Sequence, residues 1–60
     1  MPQWHKYNDE YEWMPHYNGK FTVKRNMGSH LTYDIMTVAE IRLQDEELAD
    51  HINSIMTQVQ

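Results

Sequence analysis

The sequence predicts an α+β domain, in which a small antiparallel β-sheet of three or more strands has one C-terminal amphipathic α-helix packed on one face. The hydrophobic period changes along the chain, from two residues over Tyr33–Leu43 to about 3.6 residues beyond Asp45. The pair Asn18-Gly19 is a strong signal for a tight turn between antiparallel strands. We therefore expect residues 1–60 to form a single small domain, with the strands first and the helix last.

Residues 1–14 are an aromatic-rich N-terminal segment with two possible conformations. Four of its apolar side chains have helical spacing: Trp4, Tyr7, Tyr11 and Met14. The residue types favour the alternative, because Trp and Tyr prefer strands to helices. We expect an extended or strand conformation, in which Asn8-Asp9-Glu10 is a turn between two short strands.

Residues 15–43 are assigned to antiparallel strands, beginning with a hairpin around Asn18-Gly19. A type I′ turn at this pair places Tyr17 opposite Lys20 and Pro15 opposite Thr22. That position requires a hydrogen bond that proline cannot donate. We therefore expect regular pairing to fail near Pro15.

The second turn is located by requiring that the apolar residues of both strands share one face. A three-residue loop, Asn26-Met27-Gly28, with Gly28 in the left-handed conformation, meets this requirement and pairs Val23 with Leu31. The apolar residues then predicted to face the core on the next strand are Leu31, Tyr33 and Ile35.

This register leaves the strand Ile35–Leu43 without a partner, because the hairpin ends with Lys20 opposite Asp34. Unpaired strand edges readily pair with other chains. Met36 and Val38 lie on the face opposite to the other apolar residues, and apolar residues on both faces favour an interface. We expect a homodimer with Met36 and Val38 at the dimer interface, or one formed through the aromatic N-terminal segment.

Residues 45–58 are predicted to form the C-terminal helix. Its apolar stripe consists of Leu48, Ile52, Ile55, Met56 and Val59. Gln44 or Asp45 is the candidate N-cap, and Asp45 is chemically the better one. Leu43 and Leu48 are placed to form a hydrophobic staple across this cap.

The start of the predicted helix is strongly acidic. Its four carboxylates are Asp45, Glu46, Glu47 and Asp50. Two interpretations are open. Acidic residues in a first helical turn stabilise the helix by about 0.3–1 kcal/mol each, or they imitate nucleic-acid phosphates and bind a basic groove on an enzyme, with an affinity that falls steeply with salt.

Composition limits the function classes. The chain has no cysteine, which excludes disulfides and thiolate zinc sites. The N-terminus lacks the features of a signal peptide and no apolar run is long enough to cross a bilayer, so we expect a cytoplasmic protein without membrane contact. Small domains often gain stability from a second subunit, which also favours oligomerisation.

Neither a metal nor a cofactor is indicated by the sequence. The four histidines, His5, His16, His30 and His51, lack the short spacings that fix zinc ligands locally. Nucleic-acid binding is an alternative, in which Lys6, Lys20, Lys24 and Arg25 line one sheet face beside aromatic residues. The formal net charge of −4 and the acidic helix start disfavour it.

The segment Val23–His30, followed by Tyr33, resembles the Gly-Ser-His strand of HicA-type toxins. These are small ribonucleases with a three-stranded sheet flanked by helices. The resemblance covers about a fifth of the chain and implies that His30 is the general acid and base. The second histidine usual in that motif is missing here.

We expect a binding function rather than catalysis. Trp is among the residue types that dominate protein interfaces, and a single small sheet cannot bury all of the N-terminal aromatics. Trp4 and Trp13 are therefore predicted to contact a partner, together with the four carboxylates of the helix start. The predicted function is a non-enzymatic inhibitor or regulator of a larger intracellular protein, of the kind that phages and antitoxin loci encode.

Overall fold

The computed structural model describes residues 3–58. Its elements in chain order are β1 (His5–Lys6), β2 (Tyr11–Pro15), β3 (Lys20–Asn26), β4 (Leu31–Thr37), α1 (Val38–Gln44) and α2 (Glu46–Gln58). The predicted α+β class is confirmed, with the C-terminal helix packed against an antiparallel sheet. Val59, which the sequence places in the helix stripe, lies outside the described residues.

The four strands lie in sequence order and every neighbouring pair is antiparallel. The N-terminal segment contributes β1 and β2, which confirms the strand conformation expected for it. The turn between them is closed by Asn8, whose Oδ1 accepts the backbone N–H groups of Glu10 and Tyr11 at 2.9 and 2.8 Å. Such side-chain bonds are the reason that Asn favours turns.

The Asn18-Gly19 turn forms as predicted, since both residues have positive φ, 58° and 71°. Regular pairing does fail near Pro15, directly after it, although Pro15 itself is paired. The N–H of His16 donates to the carbonyl oxygen of Lys20 at 2.9 Å, and the N–H of Lys20 donates to that of Tyr17 at 3.1 Å. His16 and Tyr17 thus share one partner residue, which is a β-bulge.

The bulge moves the register by one residue, so that Pro15 pairs with Phe21 instead of Thr22. Because His16 and Lys20 are a hydrogen-bonded pair, the next pair along an antiparallel ladder makes no hydrogen bonds. Pro15 occupies that position, where its missing N–H costs nothing.

The predicted register between β3 and β4 is wrong by three residues. Val23 pairs with Asp34, not with Leu31, and the loop has four residues, 27–30, rather than three. Asn26 Oδ1 accepts the N–H of Gly28 at 2.9 Å, and Gly28 has the positive φ expected of it, 86°. A register shift by an odd number of residues exchanges the two faces of a strand. Leu31, Tyr33 and Ile35 therefore lie on the face opposite to the one predicted.

The strand predicted to continue to Leu43 ends at Thr37. A capping box starts α1 there: the Thr37 hydroxyl accepts the N–H of Glu40 at 3.2 Å, and the Glu40 carboxylate accepts the N–H of Thr37 at 2.9 Å. These two bonds satisfy donors that a helix start otherwise leaves unpaired. Thr37 also pairs with Lys20 at the end of the sheet, so the predicted overhang does not exist.

Helix α2 begins after Asp45, whose Oδ1 accepts the N–H of Leu48 at 3.1 Å. Asp45 is therefore the cap, as its chemistry predicts. The hydrophobic staple is wrong, because Leu43 points into solvent while Leu48 is buried.

The core lies between the sheet and the two helices. Its buried residues are Tyr11, Trp13, Phe21, Val23, Ile41, Leu48, Ala49 and Ile52. Met36, Val38, Ile55 and Met56 pack against it from its margins.

Candidate protein-binding surface

The two faces of the sheet differ in what covers them. The inner face carries Trp13, Phe21 and Val23, and both helices contribute buried residues against them. The register places Tyr33 beside Lys24 and Ile35 beside Thr22 on the opposite, outer face. No helix described for residues 3–58 packs on that face.

Strand β4 presents its apolar side to the outer face. Leu31, Tyr33 and Ile35 are 50%, 58% and 53% exposed. The ring of Trp4 joins them, with its centroid 6.1 Å from that of Tyr33. We call these four residues, Trp4, Leu31, Tyr33 and Ile35, the outer patch.

This exposure has a free-energy cost for so small a domain. Burying a Leu or Ile side chain is worth about 1.5–3 kcal/mol, and a register shifted by an odd number of residues would bury Leu31 and Ile35. Instead, Thr32 and Asp34 face the inner side of the sheet. Contiguous exposed apolar residues of this kind are typical of interaction surfaces.

The outer patch is bordered by a paired cation. Lys24 Nζ lies 2.9 Å from Glu12 Oε1 and 4.7 Å from the centroid of the Trp4 ring. The hydrogen bond with Glu12 raises the pKa of Lys24 above its ordinary value. Because the Glu12 carboxylate balances the charge of Lys24, the surface around Trp4 is mainly apolar and aromatic rather than basic.

The two tryptophans predicted to contact a partner have different environments in the structure. Trp4 is partly exposed on the outer face, where a partner can reach it. Trp13 is completely buried, stacked on His5 at 4.4 Å and edge-on to Phe21 at 5.7 Å. The prediction of a partner contact is wrong for Trp13, because its indole is the centre of the core.

Met36 and Val38 do not lie on an outward strand face. Met36 pairs with Phe21 on the inner face, and Val38 is the first residue of α1. Both are half-buried against the core. The predicted dimer interface at Met36 and Val38 requires an unpaired strand Ile35–Leu43, and the structure has no such strand because β4 ends at Thr37.

The four acidic residues at the helix start each have a partner within the chain. Asp45 caps α2, and Glu47 accepts a hydrogen bond of 3.5 Å from the Tyr7 hydroxyl. Arg42 lies 2.8 Å from Asp50 and 3.7 Å from Glu46. Helix capping and these exposed ion pairs explain the acidic cluster without a binding partner.

His30 lies in the loop before β4 and not opposite Lys24, where the predicted register put it. Its Nδ1 is 3.0 Å from the Ser29 hydroxyl. A general base is usually oriented by a second group such as a carboxylate, and no such contact to His30 is found within residues 3–58. Those residues also hold no group of three or more His, Asp or Glu side chains placed to bind a metal ion.

An open groove runs beside this loop, and its lining residues are Asp9, Glu10, Arg25, Asn26, Met27 and Gly28. Arg25 Nε lies 2.7 Å from Glu10 Oε2. The guanidinium is thus already engaged by a carboxylate of the same chain, and this groove offers an anionic ligand no uncompensated charge.

His51 is the histidine most affected by the fold. Its ring lies 4.9 Å from that of Tyr7 and 5.8 Å edge-on from that of Trp13, and its Nε2 is buried without a hydrogen-bond partner in the described part of the chain. Burial, with a smaller contribution from His5, lowers the pKa of His51 below its ordinary value of 6.5.

We expect the domain to lose stability on mild acidification through His51. A lowered folded-state pKa means that the unfolded chain binds more protons, so stability is complete above about pH 6.5 and declines as the pH falls toward the folded pKa. Thermal melts followed by circular dichroism between pH 5 and pH 8 measure this. In His51→Phe the slope above pH 5 is expected to flatten, while in His16→Gln it is unchanged; equal slopes in the two variants would contradict the assignment.

No helix among residues 3–58 is long and apolar enough to span a bilayer. The outer patch belongs to an open sheet rather than to an enclosed pocket. Comparisons with protein-family models, with curated proteins and with solved structures find no match for the chain.

Proposed function

We propose that this protein is a non-enzymatic protein-binding module that docks on a larger protein through its outer patch and acts as an inhibitor or regulator of it. The observation that carries the proposal is the outward orientation of β4. Three apolar side chains and Trp4 lie together on a face that neither of the two described helices covers. Interfaces are enriched in such aromatic residues.

The composition of the outer patch supports a protein partner over a small ligand. Small molecules bind in concave pockets that enclose most of their surface, whereas these side chains project from an open sheet. Trp4 and Tyr33 combine large apolar area with few rotatable bonds, which makes them suitable anchors at the centre of an interface. A flat or grooved apolar surface on the partner would complement them.

Photo-crosslinking tests the proposal. Benzoylphenylalanine in place of Tyr33 is expected to crosslink a discrete larger protein in cells, while the same residue in place of Tyr17 does not. Tyr17 is the matched control because it is equally exposed but lies at the hairpin turn. A crosslinked product with twice the mass of this chain indicates self-association and does not support the binding of a larger protein.

Binding assays with this protein and the captured larger protein, both purified, then distinguish the two predicted binding surfaces. Binding through the outer patch should weaken at least tenfold in Trp4→Ser, which corresponds to about 1.4 kcal/mol, and should change little with salt. Binding through the acidic helix start should instead weaken steeply with salt. Equal affinities for Trp4→Ser and Tyr17→Ser would contradict docking through the outer patch.

A further inference from the structure

Strand β4 forms an open edge of the sheet. Its neighbour on one side is β3, and within residues 3–58 no strand pairs with its other side. It has seven residues, whereas β1 at the opposite edge has two. Natural proteins protect long edges with lysine, proline, a bulge or an inward-pointing charge. Leu31–Thr37 contains no lysine, proline or bulge, and Asp34 is its one charged residue.

The hydrogen-bond pattern shows which backbone groups are free along this edge. The N–H of Met27 donates to the carbonyl oxygen of His30 at 2.9 Å, which makes those two residues a hydrogen-bonded pair. Bonded and non-bonded pairs alternate along an antiparallel ladder. Thr32, Asp34 and Met36 therefore bond to β3, and the N–H and C=O groups of Leu31, Tyr33 and Ile35 point away from the sheet.

The sequence of β4 is complementary to itself about Tyr33. If two copies of the strand pair antiparallel about a two-fold axis at Tyr33, Leu31 lies opposite Ile35 of the second copy and Thr32 lies opposite its Asp34. The two Tyr33 residues face each other. Each cross-strand pair is then apolar, aromatic or able to hydrogen-bond, which are the pairings that stabilise sheets.

The neighbouring registers are less favourable. Matching the two faces of the sheets allows the axis to move only by whole residues, to Thr32 or to Asp34. An axis at Thr32 pairs only residues 31–33 of the two strands, whereas the axis at Tyr33 pairs residues 31–35. An axis at Asp34 pairs residues 31–37. The two Asp34 carboxylates would then lie directly opposite, and like charges in this position are destabilising. The short overlap at Thr32 and the repulsion at Asp34 together favour the register centred on Tyr33.

We propose that β4 binds a second copy of this chain, forming a two-fold symmetric dimer with a continuous eight-stranded antiparallel sheet centred on Tyr33. The outward backbone groups of Leu31, Tyr33 and Ile35 form hydrogen bonds with those of the second copy. The two outer patches then become adjacent on one face. This dimer uses the strand edge and does not depend on the proposed docking of the sheet face.

Sedimentation of the purified protein at micromolar concentrations tests self-association. The wild-type chain is expected to sediment as a dimer and Tyr33→Pro as a monomer with an unchanged circular dichroism spectrum. Proline is tolerated at position 33 because the N–H it removes points away from β3, and the residue before it is already extended. A monomeric wild-type chain, or a dimeric Tyr33→Pro, would overturn the proposal.

Cysteine pairs test the register and do not require Tyr33→Pro to fold. The natural chain has no cysteine. In the proposed dimer, Thr32 and Asp34 of opposite copies form a non-bonded pair with Cα atoms about 4.5 Å apart, close enough for a disulfide. A mixture of Thr32→Cys and Asp34→Cys is expected to crosslink under oxidising conditions, and neither variant alone.

Crosslinking of Asp34→Cys alone, or no crosslinking in the mixture, would overturn the register. The experiments distinguish failure of the proposed dimer from failure of the proposed docking function. If the purified chain is monomeric but still binds a larger protein through Trp4, only the dimer is wrong. If the cysteine mixture crosslinks and no larger protein is captured from position 33, only the docking function is wrong.

Discussion

Replacing Trp13 with alanine is expected to remove a large part of the domain's stability at room temperature. Truncating a buried aromatic residue of this size costs about 3–5 kcal/mol. The total stability of a 60-residue domain, at about 0.05–0.15 kcal/mol per residue, is about 3–9 kcal/mol. The indole is 0% exposed and contacts β1, β3 and α2 through His5, Phe21 and His51.

Urea titrations followed by circular dichroism measure the effect, and Trp4→Ala is the matched control. It removes the same side chain from the outer face, where Trp4 is 37% exposed and does not belong to the buried core, so the loss of stability should be clearly smaller than the loss of about 3–5 kcal/mol expected for Trp13→Ala. Trp13→Phe is expected to fall between the two. Similar unfolding midpoints for Trp13→Ala and Trp4→Ala would contradict the central place of Trp13 in the core.

The second large effect is expected for Leu48, the first apolar residue of α2. Leu48 is 1% exposed, and Leu48→Ala should reduce the free energy of unfolding by about 2–5 kcal/mol. Leu43→Ala is the control, because Leu43 is 89% exposed and lies on the other side of the Asp45 cap. That change should cost less than about 0.5 kcal/mol.

Thermal and urea unfolding of both leucine variants give the comparison. Comparing Leu48→Ala with Leu43→Ala also tests whether the two leucines pack together where α1 meets α2. If the two leucines packed as a hydrophobic staple, both substitutions would be costly; a loss above about 1 kcal/mol in Leu43→Ala would therefore indicate packing that the structure does not contain.

The elements whose signals are local could be predicted from the sequence. The apolar stripe of α2 and its Asp45 cap, the Asn18-Gly19 turn and the strand preference of the N-terminal aromatics all depend on residues a few positions apart. The capping box Thr37-x-x-Glu40 is a signal of the same kind. It marks the start of α1, and the alternation of apolar residues through Ile41 and Leu43 obscured it.

The register of β4 could not be predicted in the same way. Alternation shows that Tyr33 and Ile35 share a face, but it does not show which face. Assigning them to the core assumes that a strand buries its apolar side, and β4 does not. The tight loop of residues 27–30 and the capping box at Thr37 hold the strand at both ends, and these contacts decide its orientation.

The candidate site was predictable only in part for the same reason. The limited area of one small sheet predicts that some N-terminal aromatic residues stay exposed, but it does not distinguish Trp4 from Trp13, since both belong to that segment. Once residues 11–15 are known to be a strand, alternation with Tyr11 places Trp13 inside. The outer patch itself joins residues that are distant in sequence, and only the fold brings them together.

The four-residue loop before β4 has a consequence for how such a surface can change. Inserting or deleting one residue there rotates the strand by half a turn, which exchanges its two faces without altering any side chain on it. An inverted strand would turn Leu31, Tyr33 and Ile35 toward the core and Met36 away from it. The length of this loop therefore determines whether the outer patch is exposed. Insertion or deletion of a single codon in the loop is enough to create or remove the patch.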